Sequence, residues 1–374
     1  MQMRQFLNFV GWPAVAGLLA ALLILERWVL PGIVPAGGSA AGQLGGATSY
    51  RQAVATATPA VVNIYTEKRV PTGRSRILRN PSMHIPLGVP QQRIERSLGS
   101  GVIMSSDGHI LTNNHVIEGA DAIQVLLSDG RSAAAQVIGR DPTTDLAALQ
   151  IELESLTAIA LADSDHVAVG DVVLAIGNPL GFGHSVTQGI VSGLGRFGMQ
   201  PGTYEGFIQT DAVIHAGNSG GALVDAAGDL VGINTLIYTS STGGTGNLGI
   251  GISLAIPSNL AQFVMDDLIR YGQVIRGWLG VQVEQLPVDL RQKDNSQRLV
   301  VRAVVDGGPA ERAGLRAGDI ITHFNDQRID DVRVTMYEVS LLRPGDSLRM
   351  TVERDDGAHD LNAVVGTQPE ERDG

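Results

Sequence analysis

Ser219 lies in the stretch HAGNSGGALV, His215 to Val224, flanked by small residues. A serine hydroxyl is a weak nucleophile until a base takes its proton and a third group orients that base. Donors must also await the oxyanion that forms on attack. Glycines on both sides of Ser219 let a carbonyl approach the backbone closely, and the amides of Gly217 and Ser219 can point at one spot. The chemistry on offer is acyl transfer, provided a histidine and an acid sit elsewhere in the chain. The bland alternative is an ordinary glycine-rich turn.

The string also matches G-x-S-x-G, in which the serine turns from strand into helix and its acid and histidine follow in the chain. Here ALVDAAGDLVGINT reads strand–turn–strand, and only His323 and His359 lie downstream, so that reading is poor. The order His, Asp, Ser needs upstream partners. Of the eight histidines, His115 in LTNNHVIEGA stands at a strand end and the start of a short helical turn, where a side chain can be held at a cleft. Asp145 in DPTTDLAALQI precedes an apolar run and can fix an imidazole tautomer. Asp145 lies thirty residues after His115, and Ser219 seventy-four after Asp145. The base and acid then belong to the first half of a β-rich region and the nucleophile to the second, with a cleft between. His215, four residues before Ser219, reads as structural.

The elements that must position these groups are mostly strands. AVVNIYTEKRV reads as a strand, and residues 71 to 97 as a long proline-bearing loop. Between Glu67 and Leu98 seven Lys/Arg stand against two Glu, most simply a solvated loop. From Gly99 to Pro257 short apolar runs alternate with turns such as Asp107-Gly108 and Asp129-Gly130, enough for a pair of small barrels. In SNLAQFVMDDLIRYG, Leu260, Phe263, Val264 and Leu268 share one helical face; Ser258 or Asn259 can cap its start and Gly272 its exit. Residues 276 to 366 read as a separate module with strands at GWLGVQVE, RLVVRAVV, DIITHFN and SLRMTVERD and helices at AERAGL and VRVTMYEVSLL. GTGNLG, Gly244 to Gly249, matches G-x-G-x-x-G but is followed by a strand rather than a helix, which dismisses dinucleotide binding.

The net charge of −11 and pI near 5.1 argue against nucleic acid as a partner. With no cysteine, thiol nucleophiles, disulfides and zinc–thiolate sites are excluded. No metal or cofactor is expected. Phe6 to Leu25 is an uncharged apolar run of twenty residues, one bilayer core long. It reads as an uncleaved anchor with most of the chain outside the cytoplasm, a cleaved signal peptide being the alternative. Residues 31 to 48 then form a Gly/Ala/Pro linker.

TNNHV, TDLAAL, GNPLG, QTDA and GNSGGALV together resemble the HtrA (Deg) serine proteases, from about Ser49 to the end of the C-terminal module. One anchor and one C-terminal module look most like the membrane-anchored DegS/AlgW type. The resemblance implies a mainly β fold: an N-terminal transmembrane helix over 1–30, a flexible linker over 31–48, a trypsin-like double β-barrel over 49–272 and a smaller α+β PDZ domain over 276–366. It implies His115 as general base, Asp145 as its orienting partner, Ser219 as nucleophile, and Gly217 and Ser219 amides as oxyanion hole. Thr235, Leu236 and Ile237 would wall the specificity pocket. Trp278, Leu279, Gly280 and Val281 match a PDZ carboxylate-binding loop and the strand that pairs with a peptide, the alternative being that Trp278 and Leu279 are only core. SGLGRFGMQ matches an activation loop, with Arg196 as the link to the PDZ module, and the GTGNLG segment corresponds to a loop near the active site.

Further implications are a bacterial inner-membrane location with both domains in the periplasm, and a homotrimer with contacts around Tyr50. The PDZ domain would bind C-termini of misplaced outer-membrane proteins, and the substrate would be a membrane-spanning anti-sigma factor, in envelope stress signalling. A general periplasmic quality-control protease and chaperone of the DegP type is the runner-up. A binding protein that keeps the fold with minor catalysis is the third reading. The long loop varies across the family, and its role stays open.

Overall fold

The computed structural model describes residues 49–71, 92–178, 183–198, 204–215, 217–237, 252–285, 298–329 and 331–367. The expected anchor and linker, most of the loop at 71 to 97, and Gly244 to Gly249 lie outside the described residues. Among the described residues, no helix is long and apolar enough to cross a membrane.

Helix α1, Arg51–Ala57, and a short 3₁₀ turn lead into strand β1, Val61–Pro71. β1 pairs antiparallel with β2, Gln92–Ile103, in unbroken register from Val61 opposite Val102 to Pro71 opposite Gln92. Residues 92 to 97, expected as loop, are therefore strand. Arg93 to Ser97 are all exposed, so no alternation of apolar residues marks the strand and only the backbone ladder defines it. β3 (His109–Asn113), α2 (Asn114–Ile117), β4 (Ala122–Leu126), β5 (Ser132–Ala134), β6 (Gln136–Asp141) and β7 (Leu146–Gln150) complete a seven-stranded sheet in the order β5-β4-β1-β2-β3-β7-β6.

The register between β3 and β7 decides where the chemistry sits. Asn113, the last residue of β3, pairs with Leu146, the first of β7. His115, two residues past one strand, and Asp145, one residue before the other, are thus delivered to the same edge.

The second half closes into a six-stranded barrel of β8 (Val172–Gly177), β9 (Ser185–Arg196), β10 (Phe207–Thr210), β11 (Ala222–Val224), β12 (Leu230–Ile237) and β13 (Ser253–Pro257). Its interior holds Val173, Ala175, Val191, Ile208, Leu223 and Val231. Helix α3, Ser258–Tyr271, follows, buries Leu260, Val264 and Leu268, and ends at Gly272 with φ 75°. The expected cap at Ser258 or Asn259 does not form, because Pro257 holds the cap position. The Ser258 hydroxyl donates to the Ala162 carbonyl and the Asn259 amide group to Asp163 instead, tying the helix to the barrel.

The C-terminal module comprises β14 (Gly277–Trp278), β15 (Val281–Gln285), β16 (Leu299–Val304), α4 (Pro309–Arg312), β17 (Ile320–Phe324), β18 (Gln327–Arg328), α5 (Val332–Leu341), β19 (Ser347–Arg354), β20 (Gly357–Val364) and β21 (Gly366–Thr367). β15, β16, β17, β19 and β20 pair in that order, with β18 on β17, and β14 pairs with β21. Leu299, Val301, Ile321, Val339, Met350 and Val352 form its core.

Asp319 anchors this module. Burial raises its carboxyl, but two bonds of 2.7 Å from Arg354 and one of 2.9 Å from the Arg316 amide outweigh it, and the pKa lies below its ordinary value. A carboxylate depressed in the folded state adds stability above its unfolded pKa, and that stability is lost as pH falls through the folded value. Asp319→Asn should cost about 2–4 kcal/mol at pH 7. Because the variant lacks this group, its unfolding curve should be flatter below about pH 4. Denaturant melts followed by Trp278 fluorescence over that range provide the check.

Candidate active site

The turn that carries Asp145 is built to hold it. Thr144 N donates to the Asp141 carbonyl and Asp145 N to the Pro142 carbonyl, and Asp145 itself sits in the left-handed region at φ 57°. An aspartate tolerates that region better than a branched residue would. The Asp145 carbonyl accepts from Asn114 N and from Asn113 Nδ2, both at 3.0 Å. The two asparagines of TNNHV therefore clamp the main chain of the acid.

The carboxylate faces three donors. His115 N reaches Oδ1 at 3.0 Å, His115 Nδ1 reaches Oδ2 at 2.7 Å, and Thr235 Oγ1 reaches Oδ2 at 2.9 Å. With Asp145 ionised, the proton on the imidazole is assigned to Nδ1, and Nε2 is left to accept. The His115 side chain is 43% exposed and that of Asp145 21%, so the imidazole is open to a substrate while the acid is mostly covered.

Ser219 enters from the closed barrel, on the turn before β11; the first half, expected as a second barrel, is a seven-stranded sheet with β5 and β6 at its edges. Its hydroxyl donates to the Thr235 carbonyl at 3.1 Å. Among the described residues no hydrogen bond joins it to His115, a looseness common before substrate binds. Thr235 therefore accepts from the Ser219 hydroxyl with its carbonyl and donates to the Asp145 carboxylate with its hydroxyl, a link its sequence position did not announce. Asn218 N donates to the His215 carbonyl at 2.9 Å, which closes the turn, and the His215 side chain is exposed. At Gly220, φ is +82°, and a Cβ would land 2.2 Å from the Ser100 carbonyl oxygen, so only glycine fits. Of the expected pocket wall, Thr235 is described in full, whereas the Leu236 and Ile237 side chains lie outside the described residues, as does Ala216.

At the PDZ module, β15 has β16 on one side and no strand on the other among the described residues, the edge that peptide addition requires. The Leu279 carbonyl accepts from Ala310 N and the Gly280 carbonyl from Val305 N, which fixes the preceding loop to the module. Leu279 is in the module core, as one reading of that motif held; Trp278 is half-buried and Val281 begins the edge strand.

The module touches the protease half through arginines. Arg276 pairs with the buried Asp141 at 2.5 Å and stacks over Tyr204. Arg343 pairs with Asp267 at 2.6 Å, donates to the Ile275 carbonyl and covers the Phe263 ring. Arg333 of α5 donates to the Phe197 carbonyl at 3.1 Å, and Phe197 meets Tyr337 edge-on at 5.7 Å. Burial there pushes the Tyr337 hydroxyl up to about 12. Arg196 bonds Gln209 on the neighbouring strand at 2.8 Å. The described contact between the SGLGRFGMQ segment and the module is thus made by Phe197, the residue after Arg196, which sequence reasoning missed.

Both halves of the chain are similar to known proteins. A trypsin-like peptidase domain matches residues 99–233 and a PDZ domain residues 277–365. A probable periplasmic serine endoprotease, DegP-like, from Marinomonas sp. (strain MWYL1) is 41% identical over 341 residues, 86% of this chain and 71% of that protein. A probable periplasmic serine protease, do/HhoA-like, from Haemophilus influenzae is 47% identical over 272 residues, 71% of this chain but 57% of its own length. Among solved structures, the HtrA-type protease AlgW with decapeptide is 47% identical with a TM-score of 0.68, covering 86% of this chain and 99% of that one. The serine endoprotease from Yersinia pestis is 40% identical with a TM-score of 0.60, covering 86% and 99%. The chain belongs to the HtrA-type serine endoproteases, periplasmic enzymes with a trypsin-like peptidase domain, and within them to the DegS/AlgW-like kind with one PDZ domain.

Proposed function

We propose that this chain is a peptide-gated endopeptidase of envelope stress signalling. In this reading Ser219 Oγ leaves the Thr235 carbonyl and turns to the imidazole, where His115 Nε2 takes its proton. Asp145 holds the tautomer and stabilises the imidazolium. The amides of Gly217 and Ser219 receive the oxyanion. His115 then protonates the leaving amine, and water repeats the sequence on the acyl-enzyme. The wall from Thr235 to Ile237 suits a small aliphatic side chain before the scissile bond.

The observation that carries the gating is the contact of α5 with the segment after β9, where Arg333 and Tyr337 hold Phe197. A peptide with a free C-terminus, added beside β15 and captured by the loop from Trp278 to Val281, can shift the populations of that segment if it binds the two arrangements unequally. Misplaced outer-membrane proteins would supply such C-termini, and a membrane anti-sigma factor would be the substrate. The neighbouring AlgW structures hold peptides, which supports the class of ligand. The anchor at Phe6 to Leu25, the inner-membrane location and a trimer around Tyr50 belong to the same proposal. The DegP-like names of several relatives favour the quality-control reading as the second.

The test uses the full chain in detergent micelles and the periplasmic part of an anti-sigma factor. A decapeptide with an outer-membrane-protein-like C-terminus should raise kcat/KM at least about 10-fold, a coupling of ordinary allosteric size, and its C-terminal amide should not. Equal cleavage with either peptide, extending to unfolded casein, would replace the signalling reading with quality control.

A further inference from the structure

Ser100 of β2 is wholly buried, and neither its type nor its place in LGSGV marks it for chemistry. Its contacts do. The Ser100 hydroxyl donates to the Gly217 carbonyl at 2.7 Å and accepts from Asn178 N at 3.0 Å. Its own amide donates to the Ser219 carbonyl at 2.9 Å. Its carbonyl accepts from Thr112 Oγ1 at 2.7 Å and lies directly beneath Gly220. One residue of the first sheet therefore grips the backbone on both sides of Asn218, in a turn of the closed barrel.

The two carbonyls it holds belong to Gly217 and Ser219, the residues whose amides are the proposed oxyanion donors. Gly217 has φ 98°, so without a restraint its peptide planes are free to turn. Asn218 between them is fully buried and, among the described residues, neither polar atom of its side chain has a hydrogen-bond partner. The Asn218 amide bond to the His215 carbonyl, the Gly221 amide bond to the Asn218 carbonyl and the Gly220 amide bond to the Asn234 carbonyl tie the turn within its own half of the domain, whereas the Ser100 bonds tie it to the other half. We infer that Ser100 is a positioning residue that sets the spacing and aim of the two oxyanion donors, acting across the two halves of the peptidase domain. The inference rests on the serine-protease reading of Ser219.

Oxyanion stabilisation acts on the transition state, so loss of aim lowers kcat while leaving ground-state binding in place. The test compares wild type, Ser100→Ala, Ser100→Cys and Ser219→Ala as full chains, with a peptide substrate and a peptide boronic acid of the same sequence. Ser100→Ala should lower kcat roughly 10- to 100-fold, as expected for donors displaced by a fraction of an ångström. KM should stay within about threefold, and boronate affinity should fall by the same factor as kcat. Ser100→Cys, which keeps a weaker donor, should fall between. If Ser100→Ala does not fold, the cysteine variant carries the test, since its kcat and boronate affinity must still drop together. Unchanged kcat in a folded Ser100 variant, or a loss of kcat with boronate affinity intact, overturns the inference. Cleavage by Ser219→Ala would instead overturn the serine reading beneath it.

Discussion

Ser219→Ala will lower kcat by about 10⁴- to 10⁶-fold, to the background that binding and oxyanion donors supply without a nucleophile. The size follows from the geometry. Ser219 is the hydroxyl that shares Thr235 with the acid, and the His115 imidazole has its Nδ1 already committed to Asp145. Once the hydroxyl is gone, His115 can only activate water, which nothing positions. Because Ser219 Oγ makes one hydrogen bond to a backbone carbonyl, its removal should leave the fold intact, and peptide binding at the PDZ module should be unchanged. Steady-state cleavage and peptide titration on the same preparation separate the two effects.

Asp145→Asn will lower kcat by about 10⁴-fold at neutral pH. Asparagine suits the left-handed backbone at this position nearly as well as aspartate, so the turn from Asp141 should survive. What changes is the partner of Nδ1. An amide that presents its NH₂ there favours the other tautomer, with the proton on Nε2, and the base then faces Ser219 with a hydrogen instead of a lone pair. The imidazolium also loses its counter-charge. Activity should partly recover at high pH, where hydroxide can take over the proton transfer, and a pH–rate profile that simply scales down would contradict this account.

The places of His115 and Asp145 beside strand ends, and of Ser219 on a turn before a strand, could be expected because strand ends can be placed from alternation and turn residues. The register of β3 against β7 was not legible, yet it brings the first two together. Thr235 was read only as pocket wall, since a threonine late in an apolar strand gives no sign of which half of the domain it will face. The outer half of β2 escaped because exposed Arg and Glu residues lack periodicity. The contacts between protease and PDZ halves were hardest. The resemblance offered Arg196 as the bridge, but its described bond runs to Gln209 on the neighbouring strand, and the described bridge comes from Arg333, 136 residues beyond Phe197 in sequence.

The seam between the two halves has one further property. Among the described residues its charged donors, Arg276, Arg333 and Arg343, all come from the linker and the PDZ side, and they reach Asp141, the Phe197 carbonyl and Asp267 on the protease side. Both aspartates are buried. A chain cut before Arg276 would thus be no clean catalytic core, because it would strand two interior carboxylates without counter-ions, one of them three residues from the turn's Thr144 and four from Asp145. Exchange of PDZ modules between relatives meets the same constraint. A graft must arrive with its own guanidinium groups at matching places, and the junction belongs before Asp267 rather than in the linker that looks made for it.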